Sequence, residues 1–213
     1  MSMRRVFVNP DAPHRDAVQE AAARILRGAV VALPTDTLYG LAVNPFDAAA
    51  VARLYEVKGR PPDRALPLIA ADLEQVTAAI GPLPERARVL ASCFWPGPLT
   101  LLLNAPRNLV PAVTGDTGRV GVRVPADAVA RAVCAAAGIP ITATSANISG
   151  EPATAEPDDV ERTLGGRIEL LLDGGVTRGG AASTIVDVTG PEFRLVRAGA
   201  IAWDDIQACV SPA

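Results

Sequence analysis

DAAAVARLYEVKGRPPDRALPLIA, residues 47–70, changes its period part-way along. From Ala48 to Lys58 the apolar residues recur at helical spacing, Asp47 stands as an N-cap, and Gly59 followed by Pro61 stops the helix. ALPLIA (65–70) is then a short apolar run of strand type. A helix that passes directly into a strand is the building unit of an α/β fold.

The same alternation extends in both directions. Toward the start, RRVFVN (4–9) and AVVALPT (29–35) read as strands on either side of the helix DAVQEAAARILRG, which Gly28 ends. Toward the end come helices at DLEQVTAAIG, capped by Asp72, and PERARVLASCFW, then strands at LTLLLN (99–104) and RVGVRVP (119–125). DAVARAVCAAAG is helical. IPITATS (139–145) carries no charge on either face and reads as a central strand. IELLLDGG, STIVDVTG and EFRLVRAG give three more strands, the last two a hairpin turning at TGPE. The expected fold is α/β, a mixed sheet with helices between its strands, in a single domain spanning 1–213.

Composition narrows the chemistry. The chain has 213 residues, 49% hydrophobic and 20% charged, with no apolar run near the roughly 18 residues that a membrane span needs. MSMRRVFVNPDAPHRD has no signal-peptide core, so a soluble cytoplasmic protein with no membrane association is expected. Cys93, Cys134 and Cys209 are odd in number and form no CxxC pair, which suggests neither a disulfide framework nor a zinc site and reads as buried filler. His14 is the only histidine and lies at a helix start, which removes Ser-His-Asp and Cys-His catalysis. A net charge of −3 and a pI near 5.2 oppose a surface built to grip nucleic acid, so weak or no direct RNA binding is expected. TRGGAAS (177–183) is the expected mobile loop.

Against this background Lys58 stands out as the only lysine among 20 Lys plus Arg. As the end of a helix, KG obeys dipole and C-cap preferences, and arginine would serve there equally well. A phosphate site gives lysine a specific use as a compact point charge, with Arg60 and Arg64 adding cationic partners. No GxxxxGK[ST] loop or GxGxxG turn is present, so a nucleotide would be held by another device. PTDTLYGLA follows a strand and offers Thr35, Asp36 and Thr37, with Gly40 permitting a tight turn; a pocket wall and a capped turn both fit. TATSANISG places Thr144, Ser145, Asn147 and Ser149 at a strand end, a neutral cradle for an anion or a cap. RVGVRVP sends its valines to one face and Arg119, Gly121 and Arg123 to the other. If that face is covered, Arg123 requires an anion, either a buried carboxylate or a bound ligand's. Ser183 and Arg197 sit near strand ends, where they could join the same pocket.

Taken in order, PTDTLYGLA, KGRP, WPGPLT, VGVRVP, TSANISG, STIVDV and VRAG resemble the YrdC-like family of threonylcarbamoyl-AMP synthases over nearly the whole chain. The resemblance implies a YrdC-like fold, a twisted, mixed, open sheet with helices packed around it and a large concave central cavity. It also implies an enzyme that joins L-threonine, bicarbonate and ATP into threonylcarbamoyl-AMP and pyrophosphate for a tRNA modification, handing its product to the tRNA threonylcarbamoyl transferase machinery. The family's KxR…SxN signature falls on Lys58, Arg60, Ser145 and Asn147 as the catalytic set. ATP is implied at Lys58, Arg60, Arg64, Arg119, Asn147 and Arg197, and L-threonine at Thr37, Arg123, Ser145 and Ser183. Mg²⁺ would be carried mainly by ATP, with no metal ligands in the chain. Two positions depart from the family pattern, Ala71 in place of a histidine and Ala153 in place of a serine. The chain ends soon after VRAG, which implies a short form without the extra C-terminal domain of longer relatives. The competing readings are a double-stranded or ribosomal RNA binding protein on the same fold, and a paralogue making another carbamoyl adenylate.

Overall fold

The computed structural model describes residues 3–62 and 64–210. In chain order it contains β1 (Arg4–Phe7), α1 (Arg15–Leu26), β2 (Val31–Leu33), β3 (Gly40–Ala42), α2 (Ala48–Lys58), β4 (Leu68–Ile69), α3 (Leu73–Ile80), α4 (Glu85–Phe94), β5 (Leu99–Asn104) and α5 (Pro111–Thr114). There follow β6 (Arg119–Arg123), α6 (Ala128–Ala137), β7 (Ile141–Thr142), β8 (Thr144–Ser145), α7 (Pro157–Leu164), β9 (Leu170–Asp173), β10 (Thr184–Asp187), β11 (Arg194–Arg197) and α8 (Trp203–Val210). The α/β expectation holds, with two mixed sheets in place of one. Five strands run β1-β9-β2-β3-β8 and six run β11-β10-β5-β6-β4-β7.

Local chemistry fixes both ends of α2. The Asp47 carboxylate accepts from the N–H groups of Ala49 and Ala50, and Gly59 closes the helix at φ 61°, a left-handed conformation that glycine adopts without a Cβ clash. Gly59 N–H donates to Glu56 O, and Arg60 N–H to Tyr55 O. α2 therefore stops with Lys58 turned inward and buried. Apolar side chains collect in two clusters. One joins α1 and α6 through Ile25, Val129 and Val133 to Val31 and Leu33 of β2. The other gathers Leu54, Leu66, Leu90, Leu101 and Val122.

Three expectations change. IPITATS is not one central strand: it breaks at Ala143 into β7 and β8, which lie at the edges of different sheets. Its uncharged character reflects burial where the chain crosses between sheets, with Thr142 Oγ1 accepting from Val43 N–H and Ala143 N–H donating to Pro67 O. Gly40 is not a turn glycine. It pairs with Leu33 and Ser145 inside β3, and a Cβ there would stand an ordinary 3.5 Å from Thr144 O. Finally, Cys93 and Cys209 are not buried filler but form a disulfide between α4 and α8 across a sequence separation of 116. Cys134 alone remains a buried free thiol. No helix among the described residues is long and apolar enough to cross a membrane.

Thiol titration of the denatured, unreduced protein should find one free cysteine and find all three after reduction. Three free thiols before reduction would remove the α4–α8 link.

Candidate active site

A cleft of about 280 Å³ is lined from both sheets. The turn between β2 and β3 supplies Thr35 and Thr37, β8 supplies Thr144 and Ser145, β5 and β6 supply Thr100 and Arg123, and Ser183, Arg197 and Arg60 complete the wall. The turn is internally tied: Thr35 Oγ1 donates to Leu38 O at 2.7 Å and accepts from Thr37 N–H at 3.2 Å. Thr177 Oγ1 donates to Thr37 O at 2.9 Å, so the segment after β9 is fastened to the same turn. Thr and Ser hydroxyls thus face a small polar space from several directions.

Charge in the cleft is unbalanced. Arg123 is 8% exposed and its guanidinium lies 2.8 Å from the Asp36 carboxylate, which also accepts from Ala126 N–H. Burial pulls the Arg123 pKa below the ordinary arginine value, and the Asp36 charge opposes that shift. Arg197 is lowered by burial first and by Arg123 second, which places two like charges near each other. It donates to Ser183 O at 2.7 Å and Ser183 Oγ at 3.1 Å, and Ser183 Oγ is 2.8 Å from Thr100 Oγ1. Arg60 lies over the Tyr55 ring, 5.3 Å from its centroid, and donates to Arg64 O. Three guanidinium groups with one carboxylate among the lining and supporting groups favour an anionic ligand.

Lys58 sits behind this wall. Its ammonium donates to Ser145 O at 2.6 Å, Asn147 O at 3.0 Å and Asn147 Oδ1 at 3.3 Å. Desolvation, helped by the nearby Arg60 charge, lowers its pKa to about 8. Ser145 Oγ donates to Asn147 Oδ1, and Asn147 Nδ2 donates to Ile148 O and Glu151 O. Lys58, Ser145 and Asn147 therefore form one knot at the end of β8.

Of the predicted residues, Thr37, Arg60, Arg123, Ser145, Ser183 and Arg197 converge on the cleft, with Lys58 and Asn147 directly behind Ser145. Two stand apart. Arg119 pairs with Asp187 at 2.7 Å, four residues along β6 or about 13 Å from Arg123. Arg64 is exposed and offers its carbonyl to Tyr55 and Arg60. Ala71 lines a separate groove with Phe46, Gln75 and Ile139, and Ala153 a pocket beside Asn147. The sequence offered Asp36 for a pocket wall without showing its partner Arg123, and gave no role to Thr100. Thr100 had a signal, being the one hydroxyl inside the apolar run LTLLL.

No three His, Cys, Asp or Glu side chains among the described residues cluster as metal ligands. Asp36, the carboxylate beside the cleft, is committed to Arg123.

The sequence pattern of the Sua5/YciO/YrdC family, described as telomere recombination, matches residues 23–199. The chain belongs to this family. Its family relatives include the threonylcarbamoyl-AMP synthase of Bacillus subtilis strain 168, 40% identical over 196 residues, which are 92% of this chain and 57% of that protein. The threonylcarbamoyl-AMP synthase of Marinobacter nauticus is 38% identical over 181 residues, covering 83% of this chain and 95% of the relative. Sua5 of Pyrococcus abyssi, solved in complex with L-threonine, superposes with a TM-score of 0.92 at 38% identity, over 98% of this chain and 61% of its own. The chain thus spans less than two thirds of the Bacillus protein and of Sua5.

The Arg123–Asp36 pair is largely removed from solvent, with side chains 10% and 13% exposed, so removing one partner strands the other. Arg123→Ala should destabilise the fold by about 3–5 kcal/mol in urea denaturation, and adding Asp36→Asn should recover part of that loss. Unchanged stability of Arg123→Ala would contradict the placement of this pair.

Proposed function

We propose that the protein is a threonylcarbamoyl-AMP synthase, acting on L-threonine, bicarbonate and ATP. The observation that carries this reading is the cleft itself. A deeply placed guanidinium, Arg123, is surrounded by the hydroxyls of Thr37, Ser145 and Ser183, with Arg60 and Arg197 as further cations. That set suits an amino acid carboxylate and hydroxyl beside a polyphosphate. The likeness to a Sua5 structure complexed with L-threonine supports the same substrate.

In this reading Arg123 holds the carboxylate and the hydroxyl groups orient the amino acid. The threonine amine adds to bicarbonate with loss of water, giving a carbamate. A carbamate oxygen then attacks the α-phosphorus of ATP, and the bond to pyrophosphate breaks. Arg60 and Arg197 balance charge on the phosphates, and Mg²⁺ enters as part of the nucleotide substrate. Lys58 acts through the knot it ties: it fixes Ser145 and Asn147, and it supplies positive charge behind them. The product is a mixed anhydride. A separate transferase must consume it, and we assign that role to the tRNA threonylcarbamoyl transferase machinery, with the synthase making little direct contact with RNA.

Purified protein with Mg²⁺ and ATP should release pyrophosphate only when both L-threonine and bicarbonate are present, and L-serine should substitute poorly. Release indifferent to the amino acid would overturn the reading. Lys58→Ala should lower that rate by about 10²-fold or more. It should also lower the melting temperature, because the Ser145 and Asn147 carbonyls lose a buried donor. With the Lys58 pKa near 8, the ammonium is intact at pH 7 and neutral by pH 9. The rate should accordingly fall as pH rises through about 8, and a flat profile from 7 to 9.5 would contradict the role given to the ammonium.

A further inference from the structure

Thr100 stands in β5 in parallel register with Ile185 of β10, so the backbone ladder fixes where its hydroxyl lies. β5 also pairs with β6, Leu101 opposite Val122, and continuing that register by one residue sets Thr100 opposite Arg123. Gly121 leaves it room, because a Cβ at that position would come within 3.0 Å of Thr100 Cγ2. Thr100 is 3% exposed, and among the described residues its hydroxyl has one hydrogen-bond partner, Ser183 Oγ at 2.8 Å.

The direction of that bond follows from counting protons. Arg197 has only donors, so Ser183 Oγ must accept from it. Were Ser183 also to donate to Thr100, the Thr100 proton, on a residue only 3% exposed, would have no protein acceptor among the described residues, which is costly. The favourable arrangement has Thr100 donating to Ser183 Oγ, whose two lone pairs are then both occupied. The Ser183 proton remains, and Ser183 is half-buried on the cleft wall, so the proton points into the cleft.

We propose that Thr100 is a positioning residue that makes Ser183 an obligate hydrogen-bond donor to an anionic oxygen in the cleft, the carboxylate of the amino acid substrate. The proposal rests on the reading that the cleft takes L-threonine. Ser183 so arranged accepts nothing from a ligand. It therefore discriminates against an amine or amide N–H at this point and works together with Arg123 on one carboxylate.

The test is calorimetric binding of L-threonine to the full chain and to Thr100→Val, Thr100→Ser, Ser183→Ala and the Thr100→Val/Ser183→Ala double variant. Thr100→Val should weaken binding about tenfold and raise KM for L-threonine with little change in kcat. Its melting temperature should not fall, since valine fills the same volume in a strand and leaves Ser183 exposed to the cleft. Thr100→Ser should restore binding, and the double variant should bind no more weakly than Ser183→Ala, because both lesions remove one contact. Should Thr100→Val not fold, Thr100→Ala takes its place in the cycle. Wild-type affinity in the Thr100 variant, additive losses, or failure of serine to rescue would each overturn the proposal. A parent protein that binds no L-threonine would instead overturn the functional reading, and this assignment with it.

Discussion

A single ammonium group ties the end of one helix to the chain leaving β8, where Ser145 lines the cleft. Lys58 is buried at the last position of α2, and an ammonium there is tolerated only because its N–H groups meet Ser145 O, Asn147 O and Asn147 Oδ1. Each requirement reaches back into the sequence. Asp47 starts the helix and Gly59 ends it, which sets the phase that turns Lys58 inward. β8 must leave its sister strand at Ala143 to bring two carbonyls to the amine. Arginine, with its wider planar fork, would not fit three acceptors converging on one nitrogen, which accounts for the one lysine of the chain standing here.

Around that tie the cleft keeps an excess of positive charge at a tolerable cost. Arg123 is held by Asp36, Arg197 by Ser183, and Arg60 by the Tyr55 ring and a carbonyl. Each cation is oriented by one or two protein groups and retains N–H groups for a ligand. A site of this kind is prepared before its substrate arrives, so little reorganisation accompanies binding.

Periodic and capped elements were legible from sequence, as with α2 between Asp47 and Gly59, and so was the valine face of β6. The need of Arg123 for an anion was also legible. Its identity was not, because Asp36 and Arg123 are distant in the chain and meet only when β2 and β6 fall in different sheets that share the cleft. IPITATS misled because burial at a crossing between sheets leaves the same uncharged pattern as a central strand. Cys93 and Cys209 carry no spacing signal, since their pairing depends on α8 returning to α4. Arg119, placed with ATP by the resemblance, lies at the other end of β6 from Arg123 and pairs with Asp187, a partner that its strand alternation could not reveal.

The proposed activity requires that bicarbonate carbon and threonine end up on the same adenylate. Incubating the protein with ATP, Mg²⁺, L-threonine and ¹³C-bicarbonate, followed by mass spectrometry of the nucleotides, reads this directly. The expected product is threonylcarbamoyl-AMP carrying one ¹³C atom. Nucleotide products free of label and of threonine would contradict it.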